Sequence, residues 1–226
     1  MSLLSDTWTA FVDNEGWERL GQHVEMSLVS LALAGAIGFV LGVACAKGGP
    51  VGSFAIAATG LVGRTVPTFA AMALVIAVSS VGFWPAVVGL TLLGVPPVLL
   101  NVATGVRGAE RGAVEAAHGM GFTPAQVLGR VELPLAVPLV FAGLRSAAVM
   151  VIATAALAGA VGAGGLGVTI IAGLNNNQTD VLLAGAIPVT LLALVAESAI
   201  VAAQLLVTPR RLRHSRRQAR ALGRIG

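Results

Sequence analysis

Few side chains in this sequence could carry covalent or metal chemistry, and their spacing argues against both. His23, His118 and His214 lie far apart in the chain, and the single cysteine, Cys45, sits inside an apolar run. Separated imidazoles do not supply the close ligand set that zinc requires, and one cysteine permits no internal disulfide. No metal site is therefore expected. Ser, His and Asp do not gather in one segment, so a serine hydrolase is unsupported. Gly162-x-Gly164-x-x-Gly167 matches a dinucleotide fingerprint, yet it follows a long apolar segment instead of a strand and has no βαβ pattern around it. No Gly-x4-Gly-Lys-Ser/Thr occurs either. The chain is thus not expected to bind a cofactor, to hydrolyse ATP itself or to act as an enzyme.

The elements that position these residues are membrane helices. Of 226 residues, 56% are hydrophobic and 11% charged, with a mean hydropathy of +0.90. That is more apolar side chain than a soluble domain buries. The runs are continuous in Ala, Leu, Val, Ile and Gly, without the alternation of a membrane barrel, so the fold class is all-α. A bilayer core about 30 Å thick takes roughly 20 residues per helix. This predicts spans at about 24–46, 53–79, 84–104, 134–160 and 181–206. The first is too long for a signal-peptide core and reads as a retained span. The second contains Arg64 and Pro67, which predicts a kinked or interfacial first part.

Charge orients the bundle. The amino-terminal arm holds Asp6, Asp13, Glu15, Glu18 and Glu25 against Arg19, whereas the tail holds Arg210, Arg211, Arg213, Arg216, Arg217, Arg220 and Arg224 with no acid. The positive-inside bias places the tail in the cytoplasm and, across five spans, the amino terminus outside. The expected division is an external arm over 1–23, a transmembrane domain over 24–206 and a basic cytoplasmic tail over 207–226. The loop at 105–133, with Arg107, Arg111 and Arg130, then falls on the cytoplasmic side. An arginine cluster directly after a span grips anionic headgroups, and nucleic acid is not an expected partner.

Two ionisable residues lie within spans, Arg145 in the fourth and Glu197 in the fifth. Each is costly in lipid unless paired or facing water. They either approach each other as an intramembrane pair or act separately, with Arg145 reaching toward headgroups and Glu197 facing a subunit interface. Gly38-x3-Gly42, Gly60-x2-Gly63 and Gly159-x2-Gly162 mark close helix approaches, for static packing or for sliding. The turn holding Gly162, Gly164, Gly165 and Gly167 ends the fourth span on the expected outer side. It could line an outer gate, receive an external protein or simply connect helices. The polar run Asn175 to Asp180 reads as an outer solvated loop.

The cytoplasmic loop is the most structured polar segment. Ala109 to Met120 is rich in helix formers, Gly121 tolerates a left-handed stop, and Thr123-Pro124-Ala125-Gln126 carries an N-cap, a first-turn proline and a capping box. Pro134 is expected to begin the next span. The spacing Glu115-Ala116-Ala117-x3-Gly121-x9-Val131-x-Leu133-Pro134 resembles the EAA loop of bacterial ABC importer permeases, departing in Val131 where isoleucine is usual. The resemblance implies a type I importer permease in the bacterial inner membrane whose coupling helix docks on a cytoplasmic ATPase. Glu115, Ala116, Ala117, Gly121, Leu133 and Pro134 would form that coupling loop.

A finer resemblance covers most of the chain. Asn101 to Arg107, Arg130 to Arg145, Ala153-Thr154-Ala155, Gly162 to Gly167 and Leu183 to Pro188 are similar to permeases for glycine betaine, carnitine, choline and related osmoprotectants. Methionine permeases share the EAA loop and the glycine run but are less similar around Leu183 to Pro188, and they remain the alternative. The implied partners are two ATPase subunits that bind the ATP, a second permease copy or paralogue, and an external substrate-binding protein. A membrane structural or signalling protein with no transport role is the rival of another class.

Overall fold

The computed structural model of the chain describes residues 3–65, 70, 74–75, 81–159 and 162–208. Regular structure among them is helical: α1 Leu3–Asp13, α2 Gly16–Lys47, α3 Gly49–Thr65, α4 Phe83–Arg107, α5 Arg111–Gly119, α6 Pro124–Val127, α7 Leu133–Ala158, α8 Leu166–Asn175 and α9 Thr179–Val207. A π turn, Leu128–Glu132, joins α6 to α7.

Four helices among the described residues are long and apolar enough to cross a membrane: α2, α4, the continuous Pro124–Ala158 rod containing α7, and α9. They correspond to the expected spans at 24–46, 84–104, 134–160 and 181–206. Of the second expected span, α3 accounts for the part up to Thr65; most of the rest, with Pro67, lies outside the described residues. The arginine tail from Arg210 onward also lies outside them. Residues of the expected external arm form α1 and the first two turns of α2.

The bundle closes around small residues. α2 packs along α4, and α4 along α7, with Met26, Val87, Leu90, Val151, Ala155 and Ala158 as the shared buried cluster. A Cβ on Gly38 would stand 2.7 Å from Val98 Cβ, and one on Gly42 2.7 Å from Val102 Cβ. The small-x3-small pair is thus spent on contact with α4 inside this chain. Gly60 and Gly63 face Leu100 and Pro96 at the looser 4.0 and 3.4 Å. On the other side α9 packs on α7 and α8, and α1 lies against α9 through a second buried cluster that includes Phe11, Ile152, Leu166 and Val189.

Prolines lie inside helices as well as in their first turns. Pro96 and Pro97 lie inside α4, Pro138 inside α7 and Pro188 inside α9, as membrane bundles tolerate where neighbours re-satisfy freed carbonyls. Pro134 stands in the first turn of α7, as the sequence predicts, but no break precedes it. The helix runs from Pro124 to Ala158, and its widened turn at Leu128–Glu132 adapts the rod just before a residue that has no amide to donate.

Candidate functional site

The segment between α4 and α7 is built from local rules. α5 ends in a Schellman motif: the Phe122 amide donates to Ala117 O at 3.1 Å and the Gly121 amide to His118 O at 2.9 Å. Gly121 adopts φ +81°, the left-handed conformation that this motif requires and glycine takes most readily. Two residues on, the Thr123 amide donates to Gln126 Oε1 at 2.8 Å and the Gln126 amide to Thr123 Oγ1 at 3.4 Å. This is a complete capping box with Pro124 in the first turn. The Arg130 guanidinium stands over the Phe122 ring, 5.7 Å from its centroid, and fastens the turn to the rod.

This hairpin presents one face outward. Ala117 is buried, whereas Glu115, Ala116, Gly121 and Pro134 are exposed and Leu133 is half-buried. Met120, beside the stop, is 69% exposed, a large apolar side chain left uncovered on a polar element. The outward face therefore combines a free carboxylate, small side chains and one apolar tip. Such a surface can be gripped by a partner's groove while the Schellman motif and capping box keep it rigid.

Glu115 also lines a cleft of about 210 Å³, together with Lys47, Arg107, Arg111 and Glu132. Arg107 donates from Nη2 to Cys45 O at 2.8 Å and from Nε to Ala46 O at 3.2 Å. It thereby satisfies last-turn carbonyls of α2 and places a positive charge at that helix's negative end. Lys47, the last residue of α2, forms an ion pair with Glu132 in the π turn. The ends of α2, α4 and the loop are thus clamped together. The sequence does not disclose this clamp: Arg107 reads there only as an orientation charge, and Lys47 and Glu132 have no expected role. The available signal was a basic residue at the end of each of two long helices, α2 and α4.

The glycine turn is built differently. Gly162, Gly164 and Gly165 take φ of +73°, +85° and +75°, and the Gly165 amide donates to Gln22 Oε1 at 2.9 Å. A Cβ on Gly164 would stand 2.6 Å from that same oxygen. A Cβ on Gly167 would stand 1.9 Å from Ala156 O, so the start of α8 crosses the end of α7 at backbone contact. His23, fully buried, pairs its Nε2 with Ile152 O at 3.0 Å, and Arg19 Nη1 donates to Thr169 Oγ1 at 3.3 Å. The first turns of α2 therefore hold the turn, a role not assigned from the sequence because the partners lie more than a hundred positions away.

Arg145 and Glu197 meet. Arg145 Nη2 donates to Glu197 Oε1 at 2.9 Å across α7 and α9. The three groups of residues singled out from the sequence occupy three separate places: the loop, the glycine turn and this pair.

Comparison with known proteins decides the family. Residues 38–213 match the model for the binding-protein-dependent transport system inner membrane component family. The chain belongs to that family. The carnitine transport permease protein OpuCB of Listeria monocytogenes is 39% identical over 195 residues, covering 86% of this chain and 89% of that protein. The choline transport system permease protein OpuBB of Bacillus subtilis is 36% identical over 202 residues, 88% of this chain and 93% of that protein. The osmoprotectant import permease protein OsmW of Salmonella typhimurium is 33% identical over 215 residues, 92% of this chain and all of that protein. Among solved structures, a chain of the MetNI methionine ABC transporter in an inward facing conformation superposes with a TM-score of 0.75, covering 84% of this chain and 94% of that one at 24% identity. The fold is therefore that of an ABC importer permease.

Proposed function

We propose that this chain is a permease subunit of an ABC importer of the bacterial inner membrane that takes up quaternary ammonium osmoprotectants such as glycine betaine, carnitine and choline. The observation that carries this reading is the likeness over most of their length to permeases named for carnitine, choline and osmoprotectants. The methionine alternative rests on a fold likeness at 24% identity, which speaks to architecture and not to substrate.

In this reading the chain crosses the membrane five times, with its amino terminus outside and its arginine tail in the cytoplasm. It pairs with a second permease, an identical copy or a paralogue, and receives solute from an external binding protein. The outward face of the Glu115 loop docks on a cytoplasmic ATPase, which binds the ATP; the permease holds no cofactor and catalyses no reaction. When the ATPases close, α5 moves with its docking cleft. The clamp of Arg107 on α2 and Lys47 on Glu132 carries that displacement into α2 and α4, while the continuous rod carries it into α7. The bundle then opens outward.

The test is uptake of labelled glycine betaine, carnitine, choline and methionine by cells lacking the chain, at low and high external osmolarity, with the gene restored as control. Loss of the quaternary ammonium solutes alone is the expected result. Loss of methionine alone would move the chain to the other substrate class.

A further inference from the structure

The Arg145–Glu197 pair stands where a merely structural ion pair has no need to be open. Arg145 lies about 18 Å along α7 from Leu133, and Glu197 about 15 Å before the end of α9, at 1.5 Å per residue. Both positions are near the middle of a hydrocarbon core about 30 Å thick. Arginine is too short to reach either headgroup layer from there. The two side chains nevertheless keep 40% and 39% of their surface uncovered by this chain, and they line a cavity of about 430 Å³ together with Ala142, Ser146, Val149 and Met150. Exposure of two charges to lipid is strongly disfavoured, so a side left open in this way belongs against the second permease chain or the water between the two chains.

The pairing itself is incomplete. One hydrogen bond joins the groups in place of the two-bond fork that guanidinium and carboxylate favour. A group that can exchange partners without leaving an uncompensated charge is suited to a passing solute that carries both charges. A zwitterion does this: its carboxylate replaces Glu197 on Arg145, its ammonium replaces Arg145 on Glu197, and the site stays neutral throughout.

We infer that Arg145 and Glu197 form a mid-membrane station for zwitterionic quaternary ammonium solutes, with Arg145 receiving the carboxylate and Glu197 facing the cation. The inference rests on the osmoprotectant reading above and adds a consequence that reading lacks. Choline has no carboxylate for Arg145, so Arg145 discriminates among substrates while Glu197 serves them all.

The experiment measures uptake of labelled glycine betaine, carnitine and choline in cells carrying the complete transporter, comparing the natural chain with Arg145→Gln, Arg145→Lys and Glu197→Gln. Membrane level and co-purification of the ATPase subunits control for assembly. Arg145→Gln is expected to lower glycine betaine and carnitine uptake at least tenfold relative to choline, and Glu197→Gln to lower all three. Should Arg145→Gln fail to assemble, Arg145→Lys decides, because it keeps the charge and loses the fork; a fall in the betaine-to-choline ratio is expected. An unchanged ratio in the assembled variant would reduce the pair to helix packing and overturn the inference. Uptake of none of the three solutes by the natural chain would instead overturn the osmoprotectant reading, and the inference with it.

Discussion

The loop after α4 and the turn after α7 both depend on glycines in left-handed backbone, yet for opposite reasons. Gly121 has open space where a Cβ would stand, whereas Gly162 and Gly164 have Val81 and Gln22 within 2.6 Å. At the loop, glycine supplies only a dihedral angle, and the surface beyond it stays free. At the turn, glycine supplies both the angle and the room for α2, α7 and α8 to meet. One end of the molecule is built to present a rigid face to something else; the other is spent on holding the chain to itself.

The largest effect that would break this contrast concerns Gly167. Alanine there would drive a methyl group into a backbone carbonyl, and Gly167→Ala is expected to cost about 3 kcal/mol or more. Purified protein should show a markedly lower unfolding temperature, and little of the chain should accumulate in the membrane. A normal level with normal stability would mean that the turn is not close-packed.

Glu115→Lys should do the reverse. The carboxylate is exposed, so membrane level and stability should match the natural chain while uptake is abolished; Gly121→Asp should act alike with a small loss of stability. Quantitative blotting alongside uptake separates the two results, and normal transport by either variant would detach the loop from the motor.

Gly164→Ala sharpens the comparison at intermediate scale. It meets the movable end of Gln22 and imposes a strained φ, so a loss of about 1–3 kcal/mol is expected. Because Gln22 also accepts from the Gly165 amide, the comparison is with Gln22→Ala alone: Gly164→Ala should cost less in that background than in the natural chain. An equal cost in both backgrounds would show that Gln22 is not what fills the space.

Thr123→Ala gives the smallest change. Removing the N-cap oxygen should cost about 1 kcal/mol, read as a shift in thermal unfolding of a few degrees or less. A larger shift would mean that the loop is packed more tightly than its exposure indicates.

What the sequence disclosed was what short range decides. The four long spans show as hydropathy runs, and the stop at Gly121 and the box at Thr123 and Gln126 show because each involves residues within a few positions. Long-range contacts left no such trace. Gly16 to Gln22 is too polar to register as part of a span, yet Arg19 and Gln22 extend α2 because Thr169 and Gly165 await them. Pro134 opens α7 as expected, yet α7 continues a helix that starts at Pro124. Proline forbids an amide hydrogen bond, but a wider turn upstream and packed neighbours let the helix pass through it. Arg145 and Glu197 were visible as anomalies in apolar runs, and only the crossing of α7 and α9 brought them within hydrogen-bonding distance.

The central claim is that a free, rigid loop face couples this chain to an ATPase for osmoprotectant uptake. The most direct measurement is uptake of labelled glycine betaine and choline by cells carrying the complete transporter with either the natural chain or Glu115→Lys, at matched membrane levels. The account expects uptake with the natural chain and none with the variant. Equal uptake by both, or none by either alongside intact methionine uptake that depends on the natural chain, would contradict it.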